Sequence, residues 1–494
     1  MSVPKRKKIL FTASEAVPFI KTGGLGDVAG ALPKALARRG HDVRLVIPRY
    51  WAVDPGPYEM TWAVSPMGVP LGGRTVWCAV RETVVDGLRV YLIEHEHYFG
   101  RSGLYDDGKR EYPDNAERFA FFSESCLQLC RDTGFSPDIL HCNDWQTAMI
   151  PVYLKTRYRE DPLLRDTATV FSIHNIGHQG IFRFSNPDRL GIRKEDIHPD
   201  RLENYGGINM MKGAIFYADG ITTVSPSYAG EILSPVGGSG LAPYLQRRKD
   251  DVSGILNGVD YDHWDPEKDP HIPAAYSAED LSGKAECKKA LQRAFHLQEK
   301  KDVPVIGVVS RFAEQKGFQH VIPVMEDILR DMEVQFAFLG CGEKYMEDFF
   351  GGLPARYPGR VGAWIGYSNE RAHLIEAGAD LFLMPSLYEP CGLNQIYSLK
   401  YGTLPIVREI GGLKDTVKKY NERTGDGTGF TFRDAGPASV YYTTGWAVST
   451  YYDRPEHFDR MRRSGMREHF SWDDSAARYE EAYERAGDRR SAWR

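Results

Sequence analysis

Most of the features that would place this chain in a specialised class are missing. No run approaches the ~18 apolar residues needed to span a bilayer. The N-terminus has neither an apolar signal core nor a Ser- and Arg-rich transit stretch, so a cytosolic location is expected. Seven cysteines are scattered without a Cys-x-x-Cys pair, an odd count that fits reduced thiols better than a disulfide framework. Positive charge is not in excess. A net charge of −5 gives no electrostatic case for nucleic acid, and the cluster Lys5-Arg6-Lys7-Lys8 reads as the solvated entry to a strand. There is no short-period repeat and no low-complexity segment. What remains is an ordinary globular composition, 26% charged and 42% hydrophobic, in 494 residues, a length that asks for two or more cores.

Short apolar runs alternate with helical patterns, the mark of parallel sheets covered on both faces. In the first half strands are expected at Lys8–Thr12, Asp42–Ile47, Arg89–Ile93, Ile139–His141, Thr169–Ser172 and Gly220–Val224. Phe119, Phe122, Cys126 and Cys130 recur at helical spacing within 115–131, so both cysteines should face the core. Ile255-Leu256-Asn257-Gly258-Val259-Asp260 and the Pro-, Asp- and Lys-rich stretch behind it read as a domain junction. A second alternating set follows, with strands at Val303–Ser310, Val334–Leu339, Val361–Trp364, Ala379–Met384 and Leu404–Val407. Helices are expected at Gly317–Arg330 and Asn394–Tyr401, with a last one from about Asp474 to Ala486. The fold class is α/β: two doubly wound, Rossmann-like parallel sheets facing a cleft. Ligands of such sheets bind outside the carboxyl ends of the strands.

Polar clusters stand at those strand ends. Behind the first strand lies Lys21-Thr22-Gly23-Gly24-Leu25-Gly26-Asp27-Val28-Ala29-Gly30, followed by a helix read from Leu32 to Arg38. Glycines at a strand-to-helix turn let backbone N–H groups approach an anion, and Lys21 adds a cation beside them. Val305–Ser310 runs into Arg311 and, five residues on, Lys316; a planar fork and a compact charge on one turn suit a diphosphate. The next strand leads to Glu389-Pro390-Cys391-Gly392-Leu393, where a carboxylate on a non-helical turn can grip sugar hydroxyls. Gly411-Gly412-Leu413-Lys414-Asp415-Thr416 repeats the strand–glycine–helix device. From the first half come Asp144-Trp145 and His174.

Taken together, these clusters resemble those of the ADP-glucose-dependent bacterial glycogen synthases and plant starch synthases, retaining glucosyltransferases with the GT-B fold. The Lys-Thr-Gly-Gly-Leu, His-x-x-Asp-Trp and Arg-x-x-x-x-Lys segments carry the likeness, which runs from about Ile9 to Trp472. The resemblance implies that Lys21, Gly23, Gly24 and Asp27 belong to a loop over the nucleotide phosphates and the glucan end. It implies that Asp144 and Trp145 lie near donor glucose and acceptor, and His174 near the transferred sugar and its 6-hydroxyl. Arg311 and Lys316 become the diphosphate pair, Glu389 the carboxylate near the sugar, and Cys391, Gly392 and Leu393 its neighbours. Gly411, Gly412, Asp415 and Thr416 would contact the same ligand. Asn257 fits an acceptor-side position and Tyr367 an adenine-side one. Many retaining GT-B enzymes carry a second glutamate eight positions after the first; here that position is Tyr397, so Glu389 is the single acid expected.

The implied domains are 1–255 for the acceptor, 256–473 for the nucleotide sugar, and 474–494 as a helix crossing back to the first. The implied partners are ADP-glucose, as substrate, and glycogen or another α-1,4-glucan, with no cofactor, metal, nucleic acid or membrane. UDP-glucose as donor stays open, as does a non-catalytic glucan-binding role. An NAD enzyme is disfavoured because Gly24-x-Gly26 and Gly30 are spaced one residue too widely and start too far behind the strand. A hydrolase using Asp144 and Glu389 leaves the two cations without a purpose. A metal at His95-x-His97 lacks a third ligand nearby in sequence, and Asp260-x-Asp262 lies in the domain junction.

Overall fold

The strand Lys8–Thr12 is buried beyond its first residue because it lies mid-sheet, between Ile139–Asn143 and Asp42–Pro48. The computed structural model describes residues 6–183 and 187–492, so Lys5 of the basic cluster lies outside the described residues. Within them the chain forms two units, Met1–Gly258 with Trp472–Arg494, and Val259–Ser471.

In the first unit nine strands make one sheet. Seven are parallel, in the order Val252–Gly254, Gly220–Thr223, Ala168–Ile173, Ile139–Asn143, Lys8–Thr12, Asp42–Pro48, Leu88–Glu94. An antiparallel ribbon, Thr61–Leu71 and Arg74–Val85, completes the edge. Six of the parallel strands lie within two residues of their expected bounds; the seventh, the three-residue Val252–Gly254, was not expected. The ribbon was not expected. Register shifts between Trp62 and Met67 break its alternation, and Pro66 and Pro70 are tolerated because that strand is the edge. A small sheet of Ile181–Arg183, Gly207–Asn209 and Glu203–Asn204 is attached. The helix Asn115–Thr133 buries Phe119, Phe122, Cys126 and Cys130, as its spacing predicts, and ends on Gly134 in the left-handed region.

The helix Trp472–Ala492 belongs to this unit. It buries Ala476, Tyr479, Tyr483 and Ala486, and Glu480 accepts from Arg39 at 2.7 and 2.8 Å and contacts His41 at 3.0 Å. Tyr483 Oη lies 2.7 Å from His141 Nδ1.

The second unit is a six-stranded parallel sheet ordered Val361–Ile365, Gln335–Gly342, Val305–Phe312, Leu381–Met384, Leu404–Arg408, Phe430–Phe432. One face packs Phe312, Phe336 and Phe338 on Phe350, and the other packs Ala337, Leu339 and Phe382 on Leu291, Phe295 and Ile375.

Two helix expectations are corrected. The helix expected from Leu32 begins at Gly24; Gly24, Gly26 and Gly30 are poor helix formers and hide its first turns from the sequence. The stretch Gly317–Arg330 is not one helix: 3₁₀ turns at Phe318–His320 and Ile322–Val324 precede the helix Met325–Asp331. Pro323 and its branched neighbours prevent a continuous α-ladder there.

Candidate functional site

The first unit gathers its polar residues where Lys8–Thr12, Ile139–Asn143 and Ala168–Ile173 end. Only Gly23 and Gly24 of the glycine stretch lie at the turn, and an added Cβ at Gly24 would meet nothing within 4 Å. Gly26 and Gly30 do a different job. They sit inside the helix with the 13–20 segment laid on them; Val17 N–H donates to Gly26 O at 3.0 Å, and a Cβ at Gly30 would come within 2.3 Å of Val17 Cγ2. Lys21 Nζ is held 2.8 Å from Asp27, whose carboxyl burial pushes upward in pKa.

Beneath this turn lies Glu15, which the sequence reading missed. Its Oε2 accepts from the Thr22 amide and, at 2.8 Å, from the Thr22 hydroxyl, so it anchors the loop from below. Burial raises its pKa, although both Thr22 hydrogen bonds oppose that. Neighbouring Ser14 Oγ meets Tyr105 Oη at 2.7 Å. Glu15 stands six residues ahead of Lys21 in an apolar context, and an acid so placed was the available signal.

Asp144 is buried, with φ 54° and ψ −177°. That region is nearly glycine-only and costs about 1–3 kcal/mol, a cost found mainly at functional sites. Its Oδ1 accepts from the His174 amide at 2.8 Å, and burial pushes the carboxyl up to about 7. The His174 ring is held the other way, down to about 4, by the same desolvation. Its Nε2 lies 2.8 Å from Asn143 Oδ1. Trp145 is half-buried against Phe119 and Phe182, and Gly180 is a glycine because a Cβ would enter the indole at 2.7 Å. Asn257 is buried, and its Oδ1 has no hydrogen-bond partner among the described residues. An orphaned buried carbonyl costs about 1–3 kcal/mol and suits a ligand contact.

The second unit builds its cluster from three turns. Lys316 Nζ stands 2.6 Å from Glu389 Oε2, which also accepts from Ser386 Oγ at 3.1 Å. Glycines let the turns touch: a Cβ at Gly317 would meet Pro385 O at 1.9 Å, at Gly411 Glu389 O at 1.9 Å, and at Gly412 Cys391 O at 2.1 Å. Gly317, Gly392 and Gly411 have φ of 77°, 71° and 45°. Gly412 N–H donates to Glu389 O at 3.1 Å. Thr416 is buried and spends its hydroxyl on Gly412 O and the Gln395 amide, while Asp415 is half-buried. Leu393 caps the helix Asn394–Lys400 and packs with Val259, Ile396 and Tyr397. Arg311 is exposed, and its guanidinium has no protein partner among the described residues. Tyr367 is 83% exposed. Position 397, where a second glutamate would stand, holds a tyrosine stacked on Trp264 at 4.0 Å.

His95 is a helix cap for Tyr98, and Asp260 faces His263; no group of three metal-ligating side chains occurs among the described residues. No helix among them is long and apolar enough to cross a membrane.

Residues 8–247 match the starch synthase catalytic domain model, and residues 292–435 match that of glycosyl transferases group 1. Glycogen synthase 1 of Geobacter metallireducens is 48% identical over 487 residues, covering 98% of this chain and 96% of that one. The chain belongs to the glycogen and starch synthase family. Glycogen synthase of Geobacillus stearothermophilus is 44% identical over 478 residues, 97% of each chain. The catalytic domain of Starch Synthase IV from Arabidopsis thaliana, bound to ADP and acarbose, is 32% identical over 98% of this chain and 100% of that one, with a TM-score of 0.91. As a member of the family the chain is a glycosyltransferase, and its fold is that of the starch synthase catalytic domain, as the resemblance implied.

Proposed function

We propose that this synthase transfers glucose from ADP-glucose to the 4-hydroxyl at the non-reducing end of an α-1,4-glucan, keeping the α configuration. The observation that carries the proposal is the Lys316–Glu389 pair on a glycine-knit turn, with Arg311, unpartnered among the described residues, on the same strand end. A relative of the same fold bound to ADP and acarbose supports the ligand classes.

In the proposed step the bond between sugar C1 and the phosphate oxygen breaks while the acceptor O4 bonds to C1. The acceptor proton passes to the departing phosphate oxygen on the same face, which retains configuration without a protein nucleophile. Arg311 and Lys316 stabilise charge growing on the diphosphate, as preorganised donors aimed at developing charge. Glu389, His174 and Asp144 hold the sugar, Lys21 and the Gly23–Gly24 amides serve the phosphates and glucan end, Asn257 the acceptor, and Tyr367 the adenine. ADP-glucose enters as substrate, and the scheme calls for no cofactor. A storage glucan and a nucleotide sugar, together with described cysteines that form no disulfide, fit a cytoplasmic enzyme.

The test is incubation with glycogen and either ADP-glucose or UDP-glucose, reading nucleotide release and glucan growth. Faster release from UDP-glucose overturns the donor assignment. Release without growth overturns the transferase assignment.

A further inference from the structure

Resting on the proposed role of His174 beside the transferred sugar, we infer that Asn143 is a positioning residue that locks His174 in its Nε2–H tautomer, leaving Nδ1 as a lone pair for a substrate hydroxyl to donate to.

Thr12 contributes a backbone carbonyl, which can only accept. The Asn143 side-chain atom 2.9 Å from it is therefore the amide nitrogen, and the flip of that amide is fixed by chemistry alone. Its other atom, Oδ1, must then face His174, and it does so 2.8 Å from Nε2. A carbonyl oxygen again only accepts, so Nε2 must carry the hydrogen. Asn143 is fully buried, so no solvent molecule competes for either contact.

A neutral imidazole has one N–H, so Nδ1 holds a lone pair. Burial keeps the ring neutral around pH 7. Nδ1 has no hydrogen-bond partner among the described residues. The rest of the residue is also fixed, since its amide donates to Asp144 Oδ1 at 2.8 Å. The titratable neighbours are Asp144, beneath that amide, and His141, whose two ring nitrogens are committed to Tyr483 and Ser172 at 2.7 Å each. Neither offers Nδ1 a proton or a carboxylate. A sugar hydroxyl that donates to Nδ1 keeps its own lone pairs for another donor. A sugar presenting only an ether oxygen there would meet lone pair against lone pair.

The test reads the tautomer directly, by nitrogen NMR of the full chain carrying ¹⁵N-histidine, with the His174 signal assigned by its loss in His174→Gln. At pH 7 the expected spectrum has Nε2 protonated and Nδ1 unprotonated. Asn143→Asp removes the NH₂ that Thr12 O requires and sets a carboxylate against the ring. In that variant His174 is expected to hold both protons near neutral pH, with kcat lowered about tenfold, the scale of one misdirected hydrogen bond, and recovering as pH rises. Nδ1–H in the wild-type spectrum overturns the inference even if the variant does not fold. So does a folded Asn143→Asp protein that holds both ring protons near neutral pH with kcat unchanged. Failure of the wild-type chain to release ADP from ADP-glucose strikes the proposed function alone, because the spectrum does not depend on turnover.

Discussion

Lys316 and Glu389, 73 positions apart in the chain, meet with Nζ 2.6 Å from Oε2. The carboxylate side chain is 7% exposed and the lysine 21%, so the pair is mostly shielded from water. A phosphate that reaches Lys316 must share it with Glu389, and the lysine therefore arrives already aimed.

Removing that lysine is expected to cost more than an ion pair. Lys316→Ala should lower kcat by about 10²-fold or more, the scale of losing one preorganised electrostatic donor. Steady-state kinetics with ADP-glucose check it, and an unchanged kcat removes Lys316 from the step.

Arg311 predicts a sharper separation of stability from activity. Among the described residues its guanidinium has no partner to lose, so Arg311→Ala should leave unfolding free energy within about 0.5 kcal/mol, as for other surface substitutions. Turnover should still fall by about 10²-fold. A large drop in melting temperature would show instead that the side chain is structural.

His174 and Asp144 make opposite contributions to stability against pH. The folded ring titrates near 4 against 6.5 when free, so between those values the unfolded chain binds the extra proton. Stability from this group therefore rises with pH across that window and is lost on acidification, by about 3 kcal/mol in all. Asp144 titrates near 7 in the fold against 3.8 outside it, so here the folded chain keeps the proton and stability falls as pH rises from 3.8 to 7. The two slopes offset each other in the wild type. Denaturant titrations from pH 4 to 8 should show His174→Gln falling with pH and Asp144→Asn rising. Parallel curves for all three proteins would refute both assignments.

At Gly411 a methyl group should do what charge removal does elsewhere. Gly411→Ala would put Cβ 1.9 Å from the Glu389 carbonyl at a φ of 45°. A cost of about 2–4 kcal/mol is expected, together with a raised KM for ADP-glucose as the Glu389 turn moves. Unchanged KM in a folded variant would show the turn to be adaptable.

Most parallel strands were legible because they are buried apolar runs, and the strand-end turns because glycine and charge follow those runs, whereas the three-residue strands Val252–Gly254 and Phe430–Phe432 were too short to read. The Thr61–Leu71 ribbon was hidden by its bulges, and the first turns of the glycine helix by Gly24, Gly26 and Gly30, poor helix formers that lie inside it. Glu15, Ser386 and Asn143 escaped notice for another reason. Each acts through a neighbour brought close by the fold, and Asn143 reads as a polar spacer between two motif residues until its contacts with Thr12 and His174 are seen.

The helix Trp472–Ala492 sets an order of events at the ribosome. Arg39 and His41 are made early, yet the Glu480 that receives them emerges some 440 residues later, and the Tyr483 that meets His141 follows it by 342. Everything from Val259 to Ser471 leaves the exit tunnel first. The inserted unit can therefore finish folding while its host still waits for its last helix, and a nascent chain stalled near residue 471 should carry a native second sheet beside a first one that proteases still open.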